Sequence, residues 1–395
     1  MKSPTKHVPT ALAAALVIAA CSAGTAPSEA APADTAKLDA SGDQPATPVA
    51  DAPFTVQEVA RFDEPWAMTF LPGTKLALVT EKAGKLKLWQ EGGQALDVTG
   101  VPTVSYGGQG GFGDVILAPD FASTGTIYLS WVEAGDGGTF GAVVGKAKLE
   151  QGGAPKLAGL QIIWKQDPKV PGRGHFSHRL AFSPDGKYLF IGSGERQKFD
   201  PAQDMKANLG KILRLNPDGS VPADNPFASQ GGITAQIWSL GHRNILGLAF
   251  DGSGKLWNQE MGPKGGDEVN LVEAKANYGY PIVSNGDHYD GKNIPDHPTR
   301  PEFAAPKLWW NPSVSPAGLV WYGGDAYPGW KNSLFMGALS GEGLIRMGVD
   351  DGTLHKSDRW DFGTRIREVE VREDGTIWLL TDGENGKLLK LVPKK

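Results

Sequence analysis

The chain has 395 residues with 53 Gly, 29 Pro and 12 Trp, where average usage would give roughly 28 Gly and 20 Pro, so turn formers outweigh helix formers. A single cysteine excludes an intramolecular disulfide, a Cys-based zinc site and an iron–sulfur cluster. A formal charge of −5 argues against nucleic acid as a partner, because neutralising phosphates takes a basic surface.

Residues 1–20 carry Lys2 and Lys6, then an apolar run from Ala11 to Ala20, with no acid before Glu29. This is the pattern of a secretory signal peptide; about ten apolar residues are too few for a hydrocarbon core that needs roughly twenty. The run ends Ile18-Ala19-Ala20-Cys21, which resembles the lipobox of bacterial lipoproteins. The resemblance implies cleavage before Cys21, its acylation, and a periplasmic protein of the bacterial cell envelope that meets the membrane only through its lipid. Ser22, rather than Asp, after the cysteine points to the outer membrane. The alternative is an ordinary small-residue cleavage site with a cysteine nearby. Residues 21–52 are mostly Ala, Pro, Thr, Ser, Asp and Gly; such a stretch buries too little to offset chain entropy and is expected to be a flexible tether. The folded, catalytic domain is expected over 53–395.

From there one unit returns six times: a turn rich in Gly, Pro or Asp followed by a short β-type run. The turns are Pro72–Lys75, Ser123–Gly125, Pro184–Gly186, Asp251–Gly254, Gly329–Asn332 and Asp374–Gly375. Most copies follow an apolar stretch such as Trp66–Phe70, Leu180–Phe182 or Leu246–Phe250. Strand, tight turn, strand is a hairpin, and six at intervals of roughly 45–80 residues make a repeat architecture. No segment sustains a helical period. An all-β, six-bladed β-propeller of four-stranded blades is therefore expected, since radial repetition hides sheet edges; an irregular β-sandwich is the alternative.

With no cysteine chemistry available, candidate groups are His, carboxylates and clustered Arg. Gly172-Arg173-Gly174-His175-Phe176-Ser177-His178-Arg179 and Gly241-His242-Arg243-Asn244 are loops leading into blade strands, so both project at one end of the propeller. His288, His297 and His355 lie in loop-like sequence and read as surface residues. Arg365-Ile366-Arg367 puts two guanidiniums on one face of a strand, which suits a ligand with several carboxylates; a solvated strand edge is the plainer alternative.

Together these strings resemble the bacterial quinoprotein soluble glucose and aldose sugar dehydrogenases, over roughly residues 55–393. The motifs that carry the resemblance recur in order. They begin with Glu64-Pro65-Trp66-Ala67-Met68, Thr80-Glu81-Lys82-Ala83-Gly84 and Gly108-Gln109-Gly110-Gly111, then the His175 to Leu180 run. Asn208-Leu209-Gly210-Lys211, Gly241-His242-Arg243-Asn244, Gly262-Pro263, Gly266-Asp267-Glu268-Val269-Asn270 and Asn277-Tyr278-Gly279-Tyr280-Pro281 follow. Pro312-Ser313-Val314-Ser315-Pro316 and the Arg365/Arg367 pair close the series. The family members are six-bladed propellers that bind pyrroloquinoline quinone with calcium.

The resemblance implies oxidation of an aldose sugar at C1 to the lactone, with electrons passing to a quinone or cytochrome acceptor. His175 matches the general base that takes the C1 hydroxyl proton while hydride passes to the quinone. Arg243 matches a catalytic residue at the cofactor, suited to stabilising negative charge on the reduced quinone. Gln109, Asn244 and Ser313 match cofactor-contacting positions, and Arg365 and Arg367 match the arginines facing its carboxylates. Gly262 and Pro263 match the pair whose carbonyls hold the cofactor calcium, a cation that prefers hard oxygen donors. Glu268 and Tyr278 match ligands of a second, structural calcium, the Tyr through its carbonyl.

Three positions depart from the pattern. Gly174 stands where the glucose dehydrogenases have an Asp before the catalytic His, so something else must orient His175. Ser340 stands where a cofactor-contacting Lys is usual. Ser177-His178 replaces a Gly pair; His178 is read as a loop residue rather than a wall of the sugar pocket. These departures keep open an impaired propeller acting as a cell-envelope binding module. A lactone-hydrolysing propeller is less favoured, because no converging set of carboxylates stands out.

Overall fold

The computed structural model describes Met1 and residues 45–350 and 353–394, those from 45 onward belonging to one compact unit. The leader, Cys21 and most of the tether lie outside the described residues. Six antiparallel four-stranded arrays follow one another along the chain, giving the six-bladed β-propeller expected from the repeats. The innermost strands are Pro65–Phe70, Phe112–Leu117, Ser177–Phe182, Ile245–Phe250, Pro316–Tyr322 and Ile366–Val371, and each touches the next around a closed ring. Each of the six turns picked out in the sequence joins an innermost strand to the second strand of the same blade. Among the described residues the only α-helix is the four-residue Phe121–Thr124 inside one of those turns.

The ring is closed by the strand that precedes blade one. Phe54–Phe62 pairs along Gly386–Pro393, so the outermost strand of the sixth blade comes from the N-terminal side of the first. Just before it, Thr47–Pro48 runs parallel to Trp360–Asp361 of blade five, and Ala52 is buried. Between blades the contacts are apolar, and Trp89, Trp257, Trp310 and Trp378 are all less than 2 % exposed. Each such ring removes ~200 Å² from water, worth ~5 kcal/mol at ~25 cal/mol per Å² before chain entropy is counted.

The mouth of the ring is where regular pairing breaks. All six innermost strands shift register against their second strands near the N-terminal end, at Pro65/Ala67, Phe112/Val115, Ser177/Leu180, Ile245/Gly247, Ala317/Leu319 and Ile366/Glu368. A bulge bends its strand and re-aims side chains, here at the end of the ring where the inner strands begin.

Candidate active site

Two adjoining cavities open at this mouth. The first, of about 330 Å³, is lined by Trp66, Lys82, Gln109, His178, Asn244, Met261, Ser315, Leu339, Arg365, Arg367 and Asp382, among others. The second, of about 400 Å³, is lined by His175, Glu195, Arg243, Pro263, Tyr280 and Tyr289, with Phe199, His288 and Lys292 toward its rim. Three chain segments line both: 175–178, 243–244 and 261–263. Backbone strain concentrates in the same wall. His175, Ser177, His178, Arg196, Gln197 and Phe199 all have φ between 47° and 64°, a left-handed conformation that costs a non-glycine residue about 1 kcal/mol or more and that clusters at functional sites.

His175 is 5 % exposed. Its backbone N–H donates to Gln109 Oε1 at 2.7 Å, and its ring Nδ1 bonds the Glu195 carboxylate. Glu195 is fully buried, and its other oxygen accepts the N–H groups of Lys198 at 2.5 Å and Phe199 at 2.8 Å. Burial works to raise the Glu195 pKa, but the bond and charge of His175, with Phe199 N–H and Arg243, prevail and hold it below the ordinary value. An ionised Glu195 fixes the ring proton on Nδ1 and leaves Nε2 as the basic nitrogen. Burial first, then Arg243 and Arg196, lower the His175 pKa against the pull of Glu195, so the ring is neutral at pH 7.

Arg243 lines the second cavity. Its Nη1 donates to the carbonyls of Gly262 at 2.5 Å and Met261 at 3.0 Å, while its buried Nε has no partner. Its backbone N–H is held by Glu260. Next to it, Asn244 Oδ1 accepts Ser177 Oγ at 3.2 Å.

The arginine pair lies on one face, as the alternation requires. Arg365 Nε and Arg367 Nε donate to the two oxygens of Asp382 at 2.8 and 2.9 Å, and all three line the first cavity. Burial works to raise the Asp382 pKa, but the two arginines outweigh it and keep the carboxylate ionised. Lys82 adds a third cation to this cavity, 3.4 Å from Glu64. Ser313 is placed differently from a cavity residue. Its Oγ donates to Asp267, whose oxygens also accept the N–H groups of Val314, Ser315 and Gly262. Asp267 thus ties the 262 and 313–315 loops together, and Ser315 is the one that reaches the cavity.

The residues fit the groups expected of them. Three cations, two amides and an aromatic wall suit a planar polyanion. The Gly262 carbonyl accepts the Arg243 guanidinium and Pro263 lines the adjoining cavity; with Arg243 turned aside these carbonyls would hold calcium. Among the described residues no three His, Cys, Asp or Glu side chains gather as a metal site, so backbone and ligand oxygens would have to serve.

Glu268 and Tyr278 do not touch through their side chains. Tyr278 stacks on His242 at 4.7 Å, His242 Nδ1 bonds Glu260 at 2.8 Å, and Glu260 pairs across the sheet with Glu268. Glu268 is buried, with His297 Nε2 and Asn270 Nδ2 each 3.5 Å from its carboxylate. Burial pushes its pKa up, and Glu260 adds to this although His297 opposes it. The Oδ1 atoms of Asn258 and Asn270 beside it are buried without partners. An under-compensated carboxylate with orphaned oxygens around it suits a cation.

The departures also find their places. At Gly174 an added Cβ would lie 2.3 Å from Oε1 at the free end of the Gln197 side chain, so an Asp there would displace that amide toward the second cavity; here Glu195 supplies the carboxylate on His175. Ser340 Oγ bonds Ser315 Oγ and the Ser313 carbonyl. His178 is no loop residue: it sits on the innermost strand of blade three, 2 % exposed. Nor is His297 a surface group, being 4 % exposed beside Glu268, while His288 lines the second cavity. Glu195 and Asp382 escaped the sequence reading, and Asp267, although within the Gly266–Asn270 motif, was given no role; for Glu195 the signal was the hairpin, whose register sets Ser177 opposite Ser193 and carries on to His175 and Glu195.

The sequence profile described as Glucose / Sorbosone dehydrogenase matches residues 62–390. Aldose sugar dehydrogenase YliI of Escherichia coli (strain K12) is 41 % identical over 343 residues, covering 85 % of this chain and 91 % of that protein. The crystal structure of the soluble aldose sugar dehydrogenase from Escherichia coli in its apo-form superposes with a TM-score of 0.81 at 38 % identity, over 86 % of this chain and all of that one. The PQQ-bound form of aldose sugar dehydrogenase from Streptomyces coelicolor superposes with a TM-score of 0.69 at 27 % identity, over 86 % of this chain and 98 % of that one. The chain belongs to the glucose/sorbosone dehydrogenase family and is an oxidoreductase.

Proposed function

We propose that the protein oxidises aldose sugars at C1 to their lactones, using pyrroloquinoline quinone in the first cavity and calcium at the Gly262 and Pro263 carbonyls. The observation that carries this is the position of His175: a neutral, Glu195-oriented imidazole on the wall between a cation-lined cavity and an open one. When bound, the quinone supplies the hydride acceptor and calcium polarises the carbonyl that receives it. The chain's own work is placement and proton transfer. The second cavity holds the sugar against His175, with Tyr280 and Tyr289 supplying apolar faces and polar tips. Nε2 of His175 takes the C1 hydroxyl proton, and Glu195 stabilises the imidazolium that forms. Arg243 stabilises negative charge developing beside it, while Arg365, Arg367 and Lys82 hold carboxylates in the first cavity. Glu268 holds the second, structural calcium with the Tyr278 carbonyl.

Reconstituting the purified apoprotein with pyrroloquinoline quinone and Ca²⁺, then following dye reduction with a panel of aldoses, tests the proposal. Saturable cofactor binding and aldose-dependent reduction are expected; binding without turnover on any aldose would favour a binding module. At the N-terminus we propose lipid anchoring through Cys21 in the outer membrane, facing the periplasm, with a quinone or cytochrome as electron acceptor. Incorporation of labelled palmitate that persists in Cys21→Ser would contradict the anchor.

A further inference from the structure

His178 has no part in the reaction just described, yet the fold goes to some length to hold it. Its ring stacks on Trp66, with centroids 5.1 Å apart and planes 11° from parallel. Its Nδ1 lies 2.7 Å from Ser130 Oγ, and that oxygen accepts the N–H of Asp114, so the hydroxyl hydrogen is free to point at the ring. Space for the ring exists because Gly113 has no side chain: a Cβ there would lie 1.8 Å from His178 Cε1. The backbone is held at φ 59°, where glycine would be at ease.

The ring also stands at a boundary on the propeller axis. Trp66 and His178 line the first cavity. The next residue, Arg179, has its guanidinium 4.0 Å from the Trp66 ring centroid and lines a further cavity of about 350 Å³ among the inner strands. That lower space contains Asp114, Glu368 and Glu370, and Arg179 Nη1 is bound to Glu368. Trp66, His178 and Arg179 therefore form one layer between a cation-lined space and one lined by buried carboxyl groups, whose pKa values burial raises.

We propose that His178, backed by Trp66, is the floor of the cofactor cavity: a buried ring whose bulk closes the cavity from below and keeps the planar quinone out of the channel beneath, lined by Asp114, Glu368 and Glu370. Burial, with Arg179 and Arg196 adding, pushes the imidazole pKa down to about 3, so the floor is uncharged at any working pH. The ring's role is shape and separation rather than proton transfer. This rests on the functional reading above, and the test keeps the two apart.

The experiment is titration of apoprotein with pyrroloquinoline quinone at saturating Ca²⁺, read by quenching of tryptophan fluorescence, in the wild type, His178→Gly and His178→Phe. Circular dichroism and a single thermal transition establish that each variant folds; His178→Asn, which tolerates the left-handed backbone, replaces His178→Gly if that variant does not. The wild type is expected to bind, His178→Gly to bind about tenfold or more weakly, and His178→Phe to stay within about threefold of wild type. His178→Gly binding as tightly as wild type overturns the proposal alone. His178→Phe as weak as His178→Gly overturns it too, since the bulk of a ring would then not suffice. A wild type that does not bind overturns the functional reading, and the floor with it.

Discussion

Nδ1 of His175 is bonded to the carboxylate of Glu195, a residue with no exposed surface that lies twenty positions further along the chain. The pair follows from the blade-three hairpin: the pairing of Ser177 with Ser193 continues past the strand ends, where the Arg196 N–H donates to the His175 carbonyl at 3.3 Å. Glu195 opens the segment that follows the second strand of blade three, and its second oxygen is pinned by two backbone N–H groups. That leaves one oxygen for the imidazole and fixes which ring nitrogen is basic.

Replacing Glu195 by Gln keeps the shape and removes the charge. We expect kcat to fall about 10- to 100-fold, because the tautomer is no longer enforced and the imidazolium is no longer stabilised. The pH dependence has a definite sign. His175 must be neutral to accept a proton, so activity rises with pH through its pKa, which burial places below 6.5. Glu195 raises that pKa, so Glu195→Gln moves the acidic limb of kcat/KM to lower pH. A limb that moves upward would contradict this assignment.

The two arginines on Asp382 differ in exposure, the Arg365 side chain being 48 % accessible and that of Arg367 12 %. Charge-assisted bonds are stronger away from water. Arg367→Met should therefore weaken pyrroloquinoline quinone binding by about 30-fold or more, and Arg365→Met by about tenfold or less. Equilibrium dialysis against the cofactor at saturating Ca²⁺ measures both, and the reverse order would show that exposure does not decide the contribution.

Restoring an acid before the catalytic histidine should harm this protein rather than help it. In Gly174→Asp the new Cβ meets the end of the Gln197 side chain, which must swing aside, and we expect a loss of ~1 kcal/mol or less in urea denaturation. Gln197→Gly opens the space at a position already at φ 59°, so Gly174→Asp should cost less in that background. Costs that simply add would mean that the two side chains do not compete.

Six hairpins were legible in the sequence because turn chemistry is local: Pro184-Asp185-Gly186 and Asp374-Gly375 carry their own backbone preferences. The Arg365/Arg367 pair was legible because strand alternation is also local. Closure of the ring was not, since Phe54–Phe62 meets Gly386–Pro393 only through the whole fold. His178 was misjudged because a His after a Gly-rich run looks like loop, whereas the empty face of Gly113 and the Trp66 ring draw it into the core. Asp382 bonds residues 15 and 17 positions away, and Asp267, which bonds Gly262 only five positions back, ties it to Ser313 46 positions on, a link that no short pattern carries.

The account turns on His175 acting as the base. The direct measurement is steady-state dye reduction with an aldose by His175→Gln, saturated with pyrroloquinoline quinone and Ca²⁺ and with cofactor affinity measured alongside. We expect kcat to drop about 10²- to 10⁴-fold while cofactor affinity stays within about threefold of wild type. Turnover within tenfold of wild type, in a variant that binds cofactor normally, would contradict the account.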